Sequence, residues 1–442
     1  MSCWLQRVCG QLMFPKPALM ALSEIKKETV MMPFAVLRTW ILGPLGWIVL
    51  GLGIYLLYEW SDGVTPPRSI TIAVDESRSL DADQTDNKTV VILTENDRVD
   101  NRGGIYYLAW GLGLTLVSIG GIVPILPFLG RPPLFEPKSF TGMQELKVSR
   151  PDGSLLHIEH CGPENGLTLI FTHGWSLDRS DWYFAQKALS TKYHLVFWDL
   201  AGLGKSTSPR NHDHSLEKMA ADLEAVMGAV TPGPVVLIGH SIGGMIQQVF
   251  CRLYPQHLED RVLGLVLVHT TYMNPVKTAY GSVILSALQK PVIEPLNYLM
   301  IWLSPLAWIS NWQSYWNGSL HLTSRLTSFA GQQTWGQIDH SSRLAAKASP
   351  AVVARGNQAM LRFDERATLP HIHRPVLVVS GANDRLTMAE ASHTIAKLLP
   401  DAREITLTPA GHLGHWEQHE QFEAALTDFI TTLERGQPRL NK

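Results

Sequence analysis

The sequence predicts an α/β protein with a mostly parallel sheet flanked by helices and a helical cap insertion, preceded by two membrane-spanning helices. Three observations support this fold class. Short apolar runs alternate with helical stretches after residue 140, one long segment interrupts the alternation, and two long uncharged runs precede it. Buried apolar strands that alternate with helices are typical of a parallel sheet covered on both faces.

Composition limits the kinds of partner and site to expect. The chain of 442 residues can bury a large core, and its net charge of −2 gives no global field that would attract nucleic acid. The four cysteines, Cys3, Cys9, Cys161 and Cys251, are scattered and form no C-x-x-C pair. Neither a disulfide framework nor a zinc site is therefore expected.

Two apolar runs follow an N-terminal segment, residues 1–33, that shows no clear pattern. Residues 39–58 and 103–130 carry no charge, and each run is about as long as a helix needs to cross a bilayer core of ~30 Å. They predict transmembrane helices over residues 34–58 and 104–130, with the bilayer as a partner. Buried helices of a soluble protein are the alternative, which the many glycines and the aromatic or basic ends of both runs disfavour.

A polar, acidic loop, residues 59–103, separates the two predicted spans. Its β-like runs, Ser69–Val74 and Thr89–Thr94, could pair as a small hairpin. Basic residues flank the pair of spans on the outside: Lys26, Lys27, Arg38, Arg131 and Lys138. By the positive-inside rule the N-terminus and everything after residue 131 are expected to be cytoplasmic, although Arg98 and Arg102 oppose this orientation.

The remaining chain is predicted to form a two-part core, residues 140–274 and 371–435, around a cap, residues 275–370. The expected strands are Glu145–Ser149, Leu155–Glu159, Leu167–Phe171, His194–Trp198, Val235–Ile238, Val262–Val268, Pro375–Val379 and Glu404–Leu407. The expected helices are Asp181–Leu189, Ser215–Val230, Met245–Tyr254, Ala389–Leu399 and Gln418–Arg435. The first two strands should pair as an antiparallel hairpin.

A G-x-S-x-G motif, Gly239-His240-Ser241-Ile242-Gly243, lies between a predicted buried strand and a predicted helix. In that context the motif is typical of a nucleophile elbow. Glycine is needed on either side because a sharp, strained turn leaves no room for side chains there. The pattern predicts an exposed Ser241 hydroxyl at the start of a helix.

A serine hydroxyl is a weak nucleophile and needs a base that a third group orients. Asp384 follows one predicted strand and His412 follows the last one, and the chain order Ser241, Asp384, His412 is typical of α/β-hydrolases. His415 and His419 are alternatives to His412, which alone follows a glycine directly after the strand. Asp364 could replace Asp384, but it precedes its strand.

Four motifs together resemble the α/β-hydrolase fold family with a cap domain, over about residues 145–433. They are Phe171-Thr172-His173-Gly174-Trp175, the D-x-x-G-x-G-x-S stretch 199–206, the elbow 239–244, and Gly411-His412 with Glu417. The resemblance implies that Ser241 attacks a carbonyl, His412 transfers the proton and Asp384 orients His412. It also implies an oxyanion hole formed by the backbone N–H groups of Trp175 and Ile242, with no metal or organic cofactor.

The function expected from these features is a membrane-anchored serine hydrolase, an esterase or lipase-like enzyme, acting on a small-molecule or lipid ester. Serine at position 241 argues against the dehalogenase and epoxide hydrolase branches, which need aspartate there. Cofactor-free perhydrolysis or acyl transfer with the same triad, and a non-catalytic binding module, stay open. A phosphate loop at residues 202–206 and an acyltransferase motif formed by His173 and Asp178 are disfavoured.

The cap has an unusual number of tryptophans: Trp302, Trp308, Trp312, Trp316 and Trp335. These rings could line an apolar pocket for an acyl group, or they could form the cap's own core. The run Asn297–Leu306 could also touch a bilayer surface. Both interpretations of the tryptophans are open at this point.

Overall fold

The computed structural model describes residues 43–64, 101–132, 140 and 142–436. Its centre is an eight-stranded sheet in the order β1-β2-β4-β3-β5-β6-β7-β8. The strands are β1 Gln144–Ser149, β2 Leu155–Cys161, β3 Thr168–Thr172, β4 His194–Trp198, β5 Val235–His240, β6 Val262–Val268, β7 Val376–Gly381 and β8 Ala402–Leu407. β2 pairs antiparallel with β1 and β4, and all other neighbours are parallel. The predicted sheet and its antiparallel lead-in hairpin are confirmed.

Helices cover both faces of the sheet because the central strands are apolar on both sides. Val235 and Leu237 of β5 pack into one core cluster, whereas Val236 and Ile238 pack into the other. The helices of the core are α4 Tyr183–Leu189, α5 Leu216–Val230, α6 Ile242–Leu253, α7 Pro255–Asp260, α14 Ala389–Leu398, α15 Gly414–Glu417 and α16 His419–Gly436. α5, α6 and α14 pack on one face, and α4 and α16 on the other.

Two predicted helices begin two or three residues away from the predicted start. The first helix after β3 starts as a 3₁₀ turn, Arg179–Trp182, that Asp178 caps by accepting from Ser180 N–H. The helix after β5 starts at Ile242 rather than Met245, because the chain enters it directly from the turn at Ser241. The elbow is therefore tighter than the sequence pattern indicated.

A helical layer lies between β6 and β7. Its helices are α8 Ser282–Leu288, α9 Glu294–Trp302, α10 Ser304–Trp316, α11 Ser319–Ser328, α12 Trp335–Lys347 and α13 Pro350–Met360. A π-helical turn, Gln289–Ile293, joins α8 to α9. We call the segment from α8 to α13 the cap.

Within residues 43–64 and 101–132, three helices precede the sheet: α1 Gly43–Val64, α2 Asn101–Gly120 and α3 Ile122–Leu129. α1 and α2 form an antiparallel hairpin with glycines at the contact, since a Cβ on Gly53 would lie 2.6 Å from Thr115 Oγ1 and one on Gly111 would lie 2.9 Å from Leu57 N. Small residues of this kind let two helix backbones approach closely.

The second predicted span is not one helix. It breaks after Gly120, and α3 is bent by 54° from the preceding helix. Pro127 lies inside α3, and proline removes a backbone donor and bends or ends helices. Among the described residues, no single helix meets both the length and the hydropathy expected of a membrane span, although two bent pairs meet them jointly: residues 104–120 with 122–129, and residues 282–302 with 304–316.

Several predictions fall outside the described residues. They concern the segment 1–33, the first part of the span 34–58, and the hairpin of Ser69–Val74 with Thr89–Thr94 in the acidic loop.

Candidate active site

Ser241 lies in the turn between β5 and α6 with a φ of +53°, a left-handed conformation that strains any residue other than glycine. The flanking positions leave no space for side chains. A Cβ on Gly239 would lie 2.5 Å from Gly243 C, and one on Gly243 would lie 2.5 Å from Thr172 O. The glycines of the motif are therefore required by backbone packing, and the turn presents Ser241 Oγ beyond the ends of the parallel strands.

The structure brings the three predicted side chains together. His412 Nε2 lies 3.0 Å from Ser241 Oγ, and His412 Nδ1 lies 2.9 Å from Asp384 Oδ2. All three residues are less than a tenth exposed. Ser241 and His412 are 171 positions apart in the sequence, and Asp384 and His412 are 28 positions apart. The parallel sheet brings the three residues together, because each follows a strand that ends at the same edge.

Asp384 is held as a hydrogen-bond acceptor. The backbone N–H groups of Leu386 and Thr387 donate to Oδ1, and the Thr387 hydroxyl donates to Oδ2. The buried ring of His269 lies 3.7 Å from the same Oδ2, and burial lowers the pKa of His269 well below its ordinary value. The ring of His269 is therefore neutral at neutral pH and competes little with His412 for the carboxylate.

The two predicted oxyanion-binding N–H groups come after the neighbouring parallel strands β3 and β5. Trp175 follows β3 and Ile242 follows Ser241, and within the described residues neither backbone N–H is hydrogen-bonded to a protein acceptor. Trp175 is anchored by its side chain, because its Nε1 donates to Val353 O in α13 at 3.1 Å. Its ring also fills the space beside Gly356, where a Cβ would lie 2.0 Å from Trp175 Cζ2.

A buried network behind the site was not predicted from the sequence. The Asp181 carboxylate accepts from Gly174 N–H and is hydrogen-bonded to the rings of His240 and His415. His240 Nε2 in turn lies 3.1 Å from His412 O. Asp181 therefore connects the turn that carries Trp175, the elbow, and the loop that carries His412.

The charge of this network is set by burial and hydrogen bonding. Burial opposes ionisation of Asp181, but the imidazoles of His240 and His415 hold its pKa well below the ordinary value. Burial also lowers the pKa of His415 to about 4, so its ring is neutral at neutral pH. The three side chains lie close enough together for a metal. However, Gly174 N–H and the Trp416 indole already donate to the carboxylate, which favours a hydrogen-bonded core over a metal site.

Other residues singled out in the sequence hold loops in place. His173 is buried and bonds to Gly174 O and Leu200 N–H. Asp199 fills the turn at Gly204, where a Cβ would lie 2.2 Å from Asp199 Cγ, and this leaves no cradle for a phosphate. Asp364 pairs with Arg366 at the surface, away from Asp384. His419 stacks on Phe184.

Glu417 joins the His412 loop to the cap. Its carboxylate accepts from the Gly411 N–H at 2.8 Å and from the consecutive N–H groups of Ala330, Gly331 and Gln332. Burial raises the pKa of Glu417 above its ordinary value, and the four N–H groups oppose that shift. The residue before His412 and the segment after α11 are thus held by one side chain.

A cavity of about 330 Å³ opens onto Ser241 and His412 beneath the cap. Most of its surface is apolar, with Leu285, Ile293 and Met300 among the buried side chains that line it, and hydroxyl and amide side chains of the cap such as Asn297 and Thr323 line it as well. None of the described residues lining it is one of the five cap tryptophans. Of the two interpretations left open for these rings, the described residues therefore give no support to the acyl pocket. Trp302, Trp308 and Trp316 are exposed, whereas Trp312 and Trp335 are half-buried within the cap.

Two bacterial esterases match the sequence of the core of the chain. The pimeloyl-acyl-carrier protein methyl ester esterase of Xanthomonas axonopodis pv. citri is 28% identical over 281 residues, which are 63% of this chain and 100% of the relative. The enzyme of the same name from Nitrosomonas europaea is 29% identical over 278 residues, covering 60% of this chain and 96% of the relative.

Solved structures share the fold. An esterase from Exiguobacterium antarcticum has a TM-score of 0.51 at 19% identity and covers 65% of this chain and 100% of its own. A bacterial membrane phospholipase A has a TM-score of 0.51 at 18% identity and covers 76% and 98%. Identities this low bear on the fold alone. The sequence model of the Alpha/beta hydrolase family matches residues 169–425, more than half of the sequence, and the chain therefore belongs to the alpha/beta hydrolase family.

Proposed function

We propose that this hydrolase cleaves a carboxylic ester with Ser241 as nucleophile, His412 as general base and acid, and Asp384 as the residue that orients His412. The observation that carries the proposal is the continuous hydrogen-bonded path from Asp384 Oδ2 through His412 to Ser241 Oγ. The esterases related to this chain support the choice of an ester.

The geometry suggests the following sequence of steps. As Ser241 Oγ bonds to the substrate carbonyl carbon, its proton passes to His412 Nε2, and Asp384 stabilises the imidazolium through Nδ1–H. The oxyanion accepts from the backbone N–H groups of Trp175 and Ile242, and it lies at the N-terminus of α6, where the helix dipole favours negative charge. Collapse expels the alkoxide, which takes the proton from His412.

Water then completes the reaction. His412 Nε2 removes a proton from a water molecule as that molecule attacks the acyl-serine, and the second tetrahedral intermediate uses the same two N–H groups. Breakdown returns the proton to Ser241 Oγ and releases the carboxylic acid. His269, held neutral by burial, leaves the Asp384 carboxylate available to His412 throughout.

A fluorophosphonate probe tests this assignment directly. We expect the probe to label wild-type protein at Ser241, and we expect Ser241→Ala to abolish both labelling and hydrolysis of a short p-nitrophenyl ester. Thr323→Ser, a conservative change at the cavity wall, serves as the folded control. Hydrolysis that survived Ser241→Ala unchanged would show that another residue is the nucleophile.

We further propose that the preferred acyl group is long or lipid-like. The mostly apolar surface of the cavity supports this preference, because apolar surface removed from water contributes roughly 25 cal/mol per Å². The assay is kcat/KM for p-nitrophenyl esters of increasing chain length, with and without detergent micelles. Equal values for short and long chains would contradict the proposal.

Membrane anchoring through α1 and α2 is the third part of the proposal, with the hydrolase core on the cytoplasmic side. It is supported by the large apolar side chains that both helices leave exposed, including Ile48 and Tyr58 in α1 and Trp110 and Leu116 in α2. Retention of the full chain in vesicles after alkaline carbonate washing tests anchoring. Protease access to a reporter fused after residue 442 in sealed vesicles tests the orientation.

A further inference from the structure

The outer side of α9 and α10 is apolar and carries no charge. From Pro295 to Trp316 the sequence contains no acidic or basic residue. The large apolar side chains exposed there, which we call the cap face, are Trp302, Leu306, Trp308, Ile309 and Trp316. The most exposed of them is Trp302, at 79%. Tyr298 is exposed too, but it borders a groove that Arg355 and Arg362 also line, so it is not part of the cap face. An exposed group of large apolar side chains without charges among them is typical of an interaction surface.

The cap face and the cavity lie on opposite sides of the same helices. In α9, Asn297 and Met300 are buried and line the cavity, whereas Trp302 is exposed. In α10, Ala307, Asn311 and Ser314 form the buried side, and Asn311 reaches the cavity. One layer of helix therefore separates the cap face from the space above Ser241.

The cap is also joined to the base of the α1–α2 hairpin. Gln313 Nε2 donates to Ser118 Oγ and to Ser118 O, and the Ser118 hydroxyl donates to Gly46 O. Ser118 is 1% exposed, so this polar contact is buried between the hairpin and α10. A Cβ on Gly46 would lie 2.7 Å from Asn317 Nδ2.

A second junction follows α3. Arg325 Nε and Gln333 Nε2 both donate to Leu129 O, and Arg131 exchanges backbone hydrogen bonds with Gln333 and Trp335. These contacts come from α11 and from the start of α12. The hairpin, α3 and the cap are therefore one packed unit.

The dimensions of the hairpin fix the level at which the cap face lies. From its contact with the cap at Gly46 to Tyr58, the last residue before Glu59, the uncharged part of α1 extends about 18 Å, and from Ser118 back to Gly103 that of α2 extends about 22 Å, against the ~30 Å of a bilayer core. With the charged end of the hairpin at one interface, its base therefore lies within about 12 Å of the other interface, the region that tryptophan and tyrosine favour. α3 begins at the same base and exposes Val123 and Phe128, which are 74% and 88% exposed.

We infer that the cap face and α3 insert into the interfacial layer of the leaflet at the base of the hairpin, and that the ester substrate reaches the cavity from that leaflet. The bilayer, rather than a second copy of the chain, is the occupant because the surface continues an apolar hairpin and carries the aromatic residues of an interface. The inference rests on the proposed hydrolase activity and anchoring.

Charge placed on the cap face tests the inference in the full chain reconstituted in phosphatidylcholine vesicles. The double variant Trp302→Glu/Leu306→Glu should hydrolyse a water-soluble acetyl ester at the wild-type rate, since neither side chain lines the cavity. Its rate on a long-chain ester held in the vesicles should fall about tenfold, the equivalent of one large side chain kept out of an apolar phase. Leu253→Glu, at an exposed apolar position of the core, is the matched control and should leave both rates unchanged.

A nitroxide label measures the location of the cap face directly. In protein whose native cysteines are replaced, labels introduced by Trp302→Cys and Leu253→Cys are compared for collision with oxygen and with a water-soluble nickel complex. We expect oxygen to dominate at position 302 and nickel at position 253. Nickel access at position 302, or dipolar coupling between labels of two copies, would overturn the inference.

The controls separate the possible failures. An inactive wild-type protein on the soluble ester contradicts the hydrolase proposal, and release of wild type by alkaline carbonate contradicts anchoring. A wild type that is active and anchored but has a water-exposed label at position 302, with equal vesicle rates for wild type and the double variant, contradicts cap docking alone.

Discussion

Gly356→Ala is predicted to slow the chemical step although residue 356 lies in the cap. The new Cβ would lie 2.0 Å from Trp175 Cζ2, whereas carbon atoms in contact lie about 3.5–4.0 Å apart. The indole must therefore move by roughly 1.5 Å. Because Trp175 Nε1 is bonded to Val353 O and the backbone of Trp175 carries a proposed oxyanion donor, we expect part of this displacement to be passed to that donor.

Loss of one oxyanion donor costs about 3–4 kcal/mol of barrier, and we expect Gly356→Ala to lose part of this, so that kcat falls about 10- to 100-fold. The measurement is kcat and KM on a soluble ester, alongside the free energy of unfolding in urea. Overpacking of this kind costs roughly 1–3 kcal/mol of stability, which the urea titration separates from the kinetic effect.

Two variants complete the test. Gly228→Ala, in helix α5 where a Cβ meets nothing within 4 Å, is the matched control and should retain full activity. Trp175→Phe combined with Gly356→Ala should recover part of the lost kcat, since the smaller ring relieves the overlap. A folded Gly356→Ala protein with wild-type kcat would refute the link between α13 and the oxyanion donor.

The remaining predictions concern buried polar groups. Asp181→Asn should lower the free energy of unfolding by about 3 kcal/mol or more, measured in urea, because an amide accepts only at its oxygen and its NH2 group would face the Trp416 indole N–H in place of Oδ1. Acidification should destabilise the fold between pH 6.5 and 4, because His415 keeps a pKa of about 4 when folded but binds a proton near its ordinary value when unfolded. His415→Gln should flatten that part of the stability profile, whereas the exposed His393→Gln should not. Glu417→Gln should reduce kcat about tenfold with little change in KM, read from steady-state kinetics, because the neutral amide holds the four N–H groups around the His412 loop more weakly.

The sheet was predictable because its signal is local. Each central strand is a short apolar run bounded by turn residues, and β4 and β6 have the predicted bounds. The break after Gly120 was harder to predict, because the run continues apolar and uncharged through it. A hydropathy profile shows where the sequence lacks polar residues, but it cannot show that the helix bends by 54° after Gly120.

Only those residues of the site that belong to recognisable sequence motifs could be predicted. The Gly–Ser–Gly turn and the order of Asp384 and His412 bear on chemistry directly, and the structure places these side chains within hydrogen-bonding distance. Asp181 has no such pattern, since its partners lie 59 and 234 residues away. The direction of the cap tryptophans was equally hidden, because α9 and α10 are apolar around most of their circumference and show no polar stripe that marks an outer face.

The attachment of the cap at Trp175 and at Glu417 limits how this protein can be redesigned. A cap transplanted from a relative brings new helices, but it must also supply the glycine that receives the Trp175 ring and the run of N–H groups that meets Glu417. A change of cap in a chimera therefore alters both the range of substrates and the turnover rate. Exchange of the cap alone should yield folded proteins that bind new esters and turn them over slowly, until both junctions are rebuilt.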